Sequence, residues 1–265
     1  MRKRVFLSFA VVILLLAGTP AARGERGGQE SPQQVRVPIL LYHRFGPTVA
    51  DSMTVPTSVF ESHLRYLREN GYTVIPLRHL VNYYLGKGPS PAPKSVVIAA
   101  DDGHRTVYTD MLPLVRKYRV PVTLFLYPSC ISHASYAMTW DQIRELKKTG
   151  FFDFQGHTYW HPNFKQDKRK MSPGEYEKSV EMQLGKSKEK LERELGVSVD
   201  MLAWPFGIYD DHLLAKAAAA GYAATFTIEA HHAGGSDRAM KLPRYLLSSA
   251  DRGKAFERIL KGGAR

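Results

Sequence analysis

The stretch "VVIAADDGH", residues 96–104, joins an apolar run to two adjacent carboxylates. Val96–Ala100 is typical of a buried β-strand, and Asp101 and Asp102 follow it directly. Neighbouring carboxylates repel each other and are costly to remove from water, so this strand end is unusual. One interpretation is a solvated Asp-Asp-Gly turn. The other is a site in which one carboxylate binds a metal and the other acts as a base, because successive strand residues point in different directions.

Similar apolar runs recur along the chain, and helix-like stretches separate them. The candidate strands are 37–42, 95–100, 122–127, 151–155, 200–204 and 223–228. They are short and apolar on both faces, as expected of parallel strands that helices cover. This alternation predicts an α/β fold, either a barrel or an open doubly wound sheet. Both architectures place their chemistry at the carboxyl ends of the strands, where Asp101 and Asp102 lie.

Three helix starts are marked by polar side chains. Ser58 with Glu61 has the spacing of a capping box. A second box begins at Ser172, with proline at the first helical position. A third helix is predicted to begin at Asp210 or Asp211.

The N-terminus has the pattern of a secretory signal peptide over residues 1–22. A basic head at 2–4 is followed by the apolar run 5–18 and by small residues. The run is shorter than the roughly 20 residues that span a bilayer. We therefore expect an exported protein whose segment is removed, with an uncleaved membrane tether as the alternative. Residues 23–35 are predicted to be a flexible leader and 36–265 a single catalytic domain.

Composition narrows the class of protein further. The chain has 265 residues, of which 44% are hydrophobic, which suits one domain with a full core. Its formal charge of +12 predicts electrostatic association with an anionic cell envelope. No nucleic-acid recognition motif occurs, so we expect no nucleic-acid partner. The single cysteine, Cys130, has no partner for an internal disulfide and is interpreted as a structural residue.

A second motif, "GHTYWHPNF" at residues 156–164, follows the strand at 151–155. It places His157 and His161 four residues apart, a spacing that can point two imidazoles at one metal ion. Two histidines and a carboxylate, with coordination positions left for water, are typical of a catalytic zinc site. The motif therefore predicts a metal site that these histidines share with the aspartate pair.

A third segment, "MLAWPFGIYD" at residues 201–210, ends the strand 200–204 in Trp204-Pro205-Phe206-Gly207. A tight turn of this kind can expose backbone N–H groups and place aromatic rings at the wall of a pocket. The alternative is an ordinary turn with aromatic residues in the core.

Together the segments "AADDG", "GHTYWHP" and "WPFG" resemble motifs one to three of the polysaccharide deacetylases, carbohydrate esterase family 4 (the NodB-homology domain). The segments "VPILLYHRF" and "KLPRYLL" resemble family members with a tyrosine–histidine entry strand. The positions at which the chain departs from the common family pattern resemble the branch that acts on exopolysaccharides such as poly-N-acetylglucosamine. The resemblance covers residues 37–259. It implies a distorted (β/α) barrel of about seven parallel strands.

The resemblance also implies roles for individual residues. It assigns Asp101 as the general base. It also implies that the backbone N–H of Phe206 stabilises the oxyanion of the reaction, and that Trp204 and Pro205 beside it contact the substrate. Three residues become ligands of a divalent metal: Asp102, His157 and His161. We expect Zn²⁺, with Co²⁺, Ni²⁺ or Mn²⁺ as alternatives.

The chain departs from the family pattern at several positions. Ala99 and Ala100 stand where many members have threonine and an aromatic residue, and Ala203 stands where many have the arginine that holds the base. Motifs four and five, which supply the usual acid histidine, are not recognisable. We expect Arg244 to hold the base and His43 to be the acid. The alternatives are a surface arginine and a hydrogen-bonded structural histidine.

By resemblance, the function is metal-dependent removal of N-acetyl groups from an N-acetylglucosamine polymer, with release of acetate. The polymer would be an exopolysaccharide or peptidoglycan. One alternative is an O-acetyl esterase that acts on a glycan such as xylan. The other is a catalytically idle carbohydrate-binding relative, which the missing fourth and fifth motifs would suit.

Overall fold

The structure is a computed structural model that describes residues 35–263. The predicted signal peptide, residues 1–22, lies outside the described residues, and so does the predicted leader apart from Val35. In the part of the chain that the structure describes, no helix combines the length and apolar character needed to cross a membrane.

The described strands are mostly short. They are β1 (Arg36–Val37), β2 (Ile39–Tyr42), β3 (Arg44–Gly46), β4 (Thr54–Pro56), β5 (Thr73–Val74), β6 (Ser95–Asp101), β7 (Val122–Leu126), β8 (Phe152–Gly156), β9 (Met201–Ala203), β10 (Ala224–Phe226), β11 (Ala233–Gly234) and β12 (Tyr245–Leu246).

Helices alternate with these strands. They are α1 (Thr57–Glu69), α2 (Leu77–Tyr84), α3 (Leu112–Tyr118), α4 (Trp140–Lys148), α5 (Phe164–Lys170), α6 (Pro173–Leu195), α7 (Asp211–Ala219) and α8 (Lys254–Leu260). A π-helical turn at Val107–Met111 precedes α3, and 3₁₀ turns form at Pro205–Gly207 and Ala239–Lys241.

Seven parallel strands form one strongly curled sheet in the order β10-β9-β8-β7-β6-β2-β12, and β5 pairs with β6 outside this path. The sheet makes a half-barrel, which confirms the predicted α/β fold of about seven parallel strands. The chain crosses from β6 to β7, β8, β9 and β10 through helices. The carboxyl ends of these strands therefore meet at one edge, as the sequence pattern requires.

Strand β6 explains why two adjacent aspartates tolerate each other. Ile98 and Ala100 belong to one hydrophobic core, together with the residues of helices α1, α3, α4 and α6. Val97 and Ala99 belong to a second core, with residues of the neighbouring strands and of α2. Because successive strand residues face opposite sides, Asp101 continues the Val97–Ala99 face into the second core. Asp102 lies beyond the end of the strand, so its carboxylate does not have to enter the second core beside that of Asp101.

The helix starts agree only in part with the sequence prediction. Ser172 forms the predicted capping box with Glu175, and Asp210 caps α7. The predicted capping box at Ser58 is wrong, because α1 already begins after the extended residue Pro56 and has no side-chain cap. A capping box that sequence reasoning missed begins α4, where Thr139 and Gln142 bond each other's backbone N–H.

His63 on α1 is a buried histidine that ties two parts of the fold together. Its Nε2 donates to the carbonyl of Asp251 at 2.5 Å, so its Nδ1 accepts from the hydroxyl of Tyr42 at 3.0 Å. Its ring also stacks on Phe256 with the centroids 3.9 Å apart. Both ring nitrogens are used by the neutral form, and burial lowers the pKa of His63 to about 4.

Protonation of His63 is therefore expected to destabilise the protein in acid. Between pH about 6.5 and 4, the unfolded chain binds a proton at this residue that the folded chain does not bind. The free energy of unfolding should fall by up to about 1.4 kcal/mol per pH unit from this residue, about 3 kcal/mol in all, and should not change above pH 7 on its account. Urea unfolding from pH 4 to 7 measures the fall. In the His63→Gln variant the free energy of unfolding should fall less between pH 7 and 4. An unchanged dependence on pH would contradict the prediction.

Candidate metal centre and active site

The carboxyl edge of the half-barrel carries most of the residues that the sequence pattern singled out. Asp101 is the last residue of β6, and His157 directly follows β8. Trp204 directly follows β9, and His43 directly follows β2. Four strands that are separate along the chain thus deliver polar or aromatic side chains to one place.

Asp101 is paired with Arg244 in the second hydrophobic core. The guanidinium donates two parallel hydrogen bonds to the carboxylate, Nη1 to Oδ1 at 2.8 Å and Nη2 to Oδ2 at 2.9 Å. Arg244 is fully buried, and Asp101 is 2% exposed. The Nε of Arg244 donates to the carbonyl of Thr227 at 2.9 Å, and its guanidinium lies over the ring of Phe125. Arg244 is thus not a surface arginine, and it sets the orientation of the Asp101 carboxylate.

Asp102, His157 and His161 form a cluster next to this pair. The Oδ1 of Asp102 lies 3.5 Å from the Nε2 of His157 and 3.6 Å from the Nε2 of His161. One nitrogen or oxygen from each of the three residues lies within 4.8 Å of the others. The structure therefore brings together the three residues that the sequence predicted to bind one ion.

The cluster fits a divalent metal ion. The Nδ1 of His157 donates to the carbonyl of Ala203 at 2.8 Å, so the lone pair of the neutral ring is on Nε2, which faces Asp102. The Oδ1 of Asp102 is buried and has no hydrogen-bond partner among the described residues. An orphaned carboxylate oxygen opposite two imidazole nitrogens is the donor set of a zinc-type site. These three residues could hold one metal ion.

The charges of the site shift the pKa values of its members. Burial alone raises the pKa of Asp101, but the adjacent Arg244 guanidinium outweighs it and holds that pKa below its usual range. Burial, with a contribution from the nearby His157, lowers the pKa of His161 to about 4. His161 is thus neutral at pH 7, which is the state in which an imidazole binds a metal.

The backbone of the site is strained at several positions. Four residues without glycine's freedom have positive φ angles here: Asp102 (70°), Thr158 (63°), His161 (60°) and Phe206 (56°). Residues held in this region cost roughly 1–3 kcal/mol each and cluster at active sites and ligand-binding sites.

His43, the predicted general acid, lies on the wall of the same pocket and is 9% exposed. Its Nδ1 is buried and has no hydrogen-bond partner among the described residues. Burial lowers the pKa of His43, although the charges of Asp101 and Asp102 act in the opposite direction. His43 is therefore not held by a structural hydrogen bond at Nδ1, and its role as the acid stays a prediction.

The turn after β9 contributes residues to the wall and to the rim of the pocket. Trp204 is buried with 1% exposure and still lines the pocket, whereas Pro205 is buried and does not line it. The Phe206 ring is 57% exposed, and its centroid lies 4.6 Å from that of His161. The structure thus places this segment beside the cluster of Asp102, His157 and His161, and the assignment of the Phe206 N–H to an oxyanion stays a prediction.

The residues enclose a cavity of about 650 Å³. Sequence reasoning missed several of its lining residues: Arg44, Met53, His104, Tyr127, Tyr136, Ile228 and Leu246. Tyr127 directly follows β7, so the rule that pointed to the other strand ends could have found it. Its hydroxyl hydrogen-bonds that of Tyr136 at 2.7 Å, and its ring lies 5.3 Å from that of His161.

Cys130 lies beneath Asp102 without taking part in the cluster. Its Sγ lies 3.3 Å from the carbonyl of Tyr127 and 3.7 Å from that of Asp102. Burial raises the pKa of this thiol to about 12, so the thiol stays protonated at neutral pH. This state suits the structural role expected from the sequence.

Comparison with known proteins identifies relatives of this architecture. The chain is 26% identical over 212 residues to the poly-beta-1,6-N-acetyl-D-glucosamine N-deacetylase of Staphylococcus aureus (strain MRSA252), a match that covers 78% of this chain and 71% of that protein. The deacetylase PplD of Streptococcus pyogenes, solved with acetate, superposes with a TM-score of 0.76 at 23% identity, over 86% of this chain and 99% of that one. IcaB of Ammonifex degensii superposes with a TM-score of 0.75 at 22% identity, over 86% of this chain and 98% of that one.

The two solved structures share the fold of this chain. Its family is shown by a match at the level of sequence. The family model described as polysaccharide deacetylase matches residues 88–225, just over half of the chain. The matched range contains the aspartate pair, both histidines of the cluster and the turn at Phe206. The chain therefore belongs to the polysaccharide deacetylase family.

Proposed function

We propose that this chain is an exported, metal-dependent enzyme that hydrolyses N-acetyl groups on a polymer of N-acetylglucosamine and releases acetate. One observation carries the proposal: a buried carboxylate, Asp101, is held by Arg244 at the edge of a cluster that fits a metal ion. The Oδ2 of Asp101 lies 3.8 Å from the Nε2 of His157. A base and a metal site so close together suit hydrolysis of an amide bond.

Asp101 is proposed to be the general base. Because Arg244 occupies both of its oxygens and keeps its pKa low, the carboxylate is ionised and fixed in direction. It would accept a proton from the water molecule that attacks the acetyl carbon. The carboxylate next to it, Asp102, is left to the metal site together with His157 and His161. A divalent cation bound there, with Zn²⁺ the first candidate, would supply Lewis-acid activation of the water and of the acetyl carbonyl.

The remaining groups of the pocket would complete the reaction. The backbone N–H of Phe206 would stabilise the negative charge that develops on the acetyl oxygen. His43 would give a proton to the sugar nitrogen as the carbon–nitrogen bond breaks, which yields acetate and a free amine. Its unpartnered Nδ1 in the pocket wall supports this role.

The shape of the pocket and the relatives support a polymeric substrate. Two strongly exposed aromatic side chains line the pocket, Tyr136 and Phe206, and a third, Trp160, lines a neighbouring pocket that shares His161 with it. Exposed aromatic rings around an open cavity suit stacking on the sugar rings of a chain. The Staphylococcus aureus relative is named for poly-beta-1,6-N-acetyl-D-glucosamine, and the N-terminal signal pattern would place this chain on the same side of the membrane as such polymers.

Acetate release from defined N-acetylglucosamine oligomers, with and without a chelator, tests the proposal. We expect release that a chelator stops and that added divalent metal restores. O-acetylated xylan oligomers are the matched substrate. Faster release from these would identify an O-acetyl esterase. Release from neither substrate by the metal-loaded protein would favour the catalytically idle relative.

The Arg244→Gln variant is expected to be less stable and less active. It leaves a buried carboxylate without its counter-charge, which costs about 3–5 kcal/mol of the free energy of unfolding. Without the guanidinium the pKa of Asp101 rises, so the acid limb of the kcat/KM profile should move to higher pH. Denaturant unfolding and pH–rate profiles measure the two effects.

The double variant Asp101→Asn/Arg244→Gln is the control for this prediction. Both buried charges are then absent, so part of the lost stability should return while activity stays lost. If the single Arg244→Gln variant keeps both its stability and its pH profile, Arg244 does not hold the base.

A further inference from the structure

A second cavity lies at the opposite edge of the sheet, at the amino ends of the strands. It has a volume of about 200 Å³, and three cations line it: Arg36, Lys94 and Lys261. Lys94 directly precedes β6, and Asp101 ends that strand. With a rise of about 3.3 Å per residue, the two edges are roughly 20 Å apart.

The cations of this cavity have almost no counter-charge. Among residues 35–263, no carboxylate lies within 4.0 Å of Arg36 or Lys94, and the nearest to Lys261 is that of Glu257 at 4.0 Å. The ammonium group of Lys94 donates to the carbonyl of Asn70 at 3.0 Å. This edge therefore carries positive charge that the described residues leave uncompensated.

Helix α8 extends the same charged surface. Lys254, Arg258 and Lys261 follow one another at i, i+4 and i+7, which is one face of a helix. Glu257, at i+3, lies on the same face, so this face carries three cations and one carboxylate. All three cations are exposed, whereas Phe256, Ile259 and Leu260 are buried in the core. We call Arg36, Lys94, Lys254, Arg258 and Lys261 the basal basic face.

We propose that the basal basic face docks on the anionic lipid headgroups of a membrane. Five exposed cations spread over a helix and a strand end match a charged surface better than a single small anion. Arg36 is also where the fold begins, and only residues 19–35 separate it from the apolar run 5–18. Fully extended, that connection reaches at most about 60 Å. In a chain that keeps the apolar run as an uncleaved membrane tether, the basal basic face therefore lies at the point where that tether enters the fold.

Docking in this way orients the enzyme. The metal cluster and its pocket lie at the other edge, so they would face outward, towards polymer in the cell envelope. The inference does not rest on the proposed deacetylase activity, because the binding is measured without substrate.

Vesicle sedimentation with the full chain tests the proposal. The first variant, Arg36→Gln/Lys94→Gln/Lys261→Gln, removes the cations that line the cavity. The matched control, Lys165→Gln/Arg169→Gln/Lys170→Gln, removes three exposed cations of α5, none within 4.0 Å of a described carboxylate, near the catalytic edge. On phosphatidylglycerol vesicles, the first variant should bind about 100-fold more weakly than the parent protein, and the control nearly as tightly as the parent.

Two further measurements distinguish docking on a membrane from binding of a free anion. On phosphatidylcholine vesicles all three proteins should bind equally, because they share residues 1–35. Inorganic phosphate at constant ionic strength should leave vesicle binding unchanged, and displacement by phosphate would identify a discrete anion site instead. The proposal is overturned by such displacement, or if the α5 control loses as much affinity as the first variant. Thermal unfolding checks that both variants are folded.

Discussion

Asp101→Asn is expected to reduce kcat for acetate release by about 1,000-fold. The general base contributes roughly 100- to 10,000-fold in enzymes of this kind, and an amide cannot accept the proton. Asparagine has nearly the volume of aspartate, and its oxygen can still accept a bond from Arg244. The proposed metal ligands Asp102, His157 and His161 are untouched, so metal content should stay the same. Acetate release and elemental analysis of the purified protein measure the two quantities.

Asp153→Asn is a matched control for this substitution. Asp153 lies on strand β8 of the same sheet, is half-buried and does not line the pocket. Its replacement should leave kcat within a few-fold of the parent value. Undiminished turnover by Asp101→Asn would refute the assignment of the base, and loss of metal from that variant would show that Asp101 is a ligand instead.

His161→Ala is expected to weaken metal binding by more than about 100-fold and to lower activity with it. Loss of partners that merely orient a ligand costs 10- to 100-fold, and loss of a ligand itself should cost more. His161 suits the experiment because its side chain is 21% exposed, whereas His157 is buried and donates to the carbonyl of Ala203. Titration of the apoprotein with Zn²⁺ measures the affinity.

His133→Ala is the control, because His133 is an exposed histidine of a neighbouring shallow pocket that His161 also lines. It should bind metal as the parent does. Excess metal should restore part of the activity of His161→Ala and none of that of Asp101→Asn. If His161→Ala binds Zn²⁺ with the parent's affinity, the three-residue cluster is not the metal site.

The arrangement of the candidate metal site was predictable because one rule about parallel sheets places most of its residues. In a parallel sheet the residues that follow the strands meet at one edge, so Asp101, Asp102 and His157 had to approach each other once the strands were recognised. His161 followed from its spacing to His157. The apolar runs that revealed these strands are buried on both faces, and such runs stand out in a sequence.

Arg244 shows where this rule stops. It directly precedes β12, a strand of only two residues, which is too short for periodicity to reveal. Its long side chain crosses the interior to Asp101, a contact that only the packing of the second core fixes. Charge and resemblance alone pointed to Arg244, and a surface position was an equally good interpretation.

Loops and caps were the least predictable parts. Tyr136 reaches the pocket because His104 bridges to Ala137, a contact between two segments without periodic pattern. The Ser58 cap failed because Pro56 already provides the extended residue from which α1 starts. The Thr139 box was readable from its Thr-x-x-Gln spacing, and that signal was overlooked.

The residues of the site with left-handed backbone conformation lower the thermal stability of the protein, and the proposed activity depends on two of them. Each such residue costs roughly 1–3 kcal/mol compared with a relaxed backbone, and Asp102 and His161 are two of them. Glycine at either position would relieve the strain and remove a proposed metal ligand at the same time. Selection for heat resistance alone, in the laboratory or in a hot habitat, would therefore favour variants that have lost the proposed activity. Thermostable and still active descendants should carry their gains elsewhere in the half-barrel.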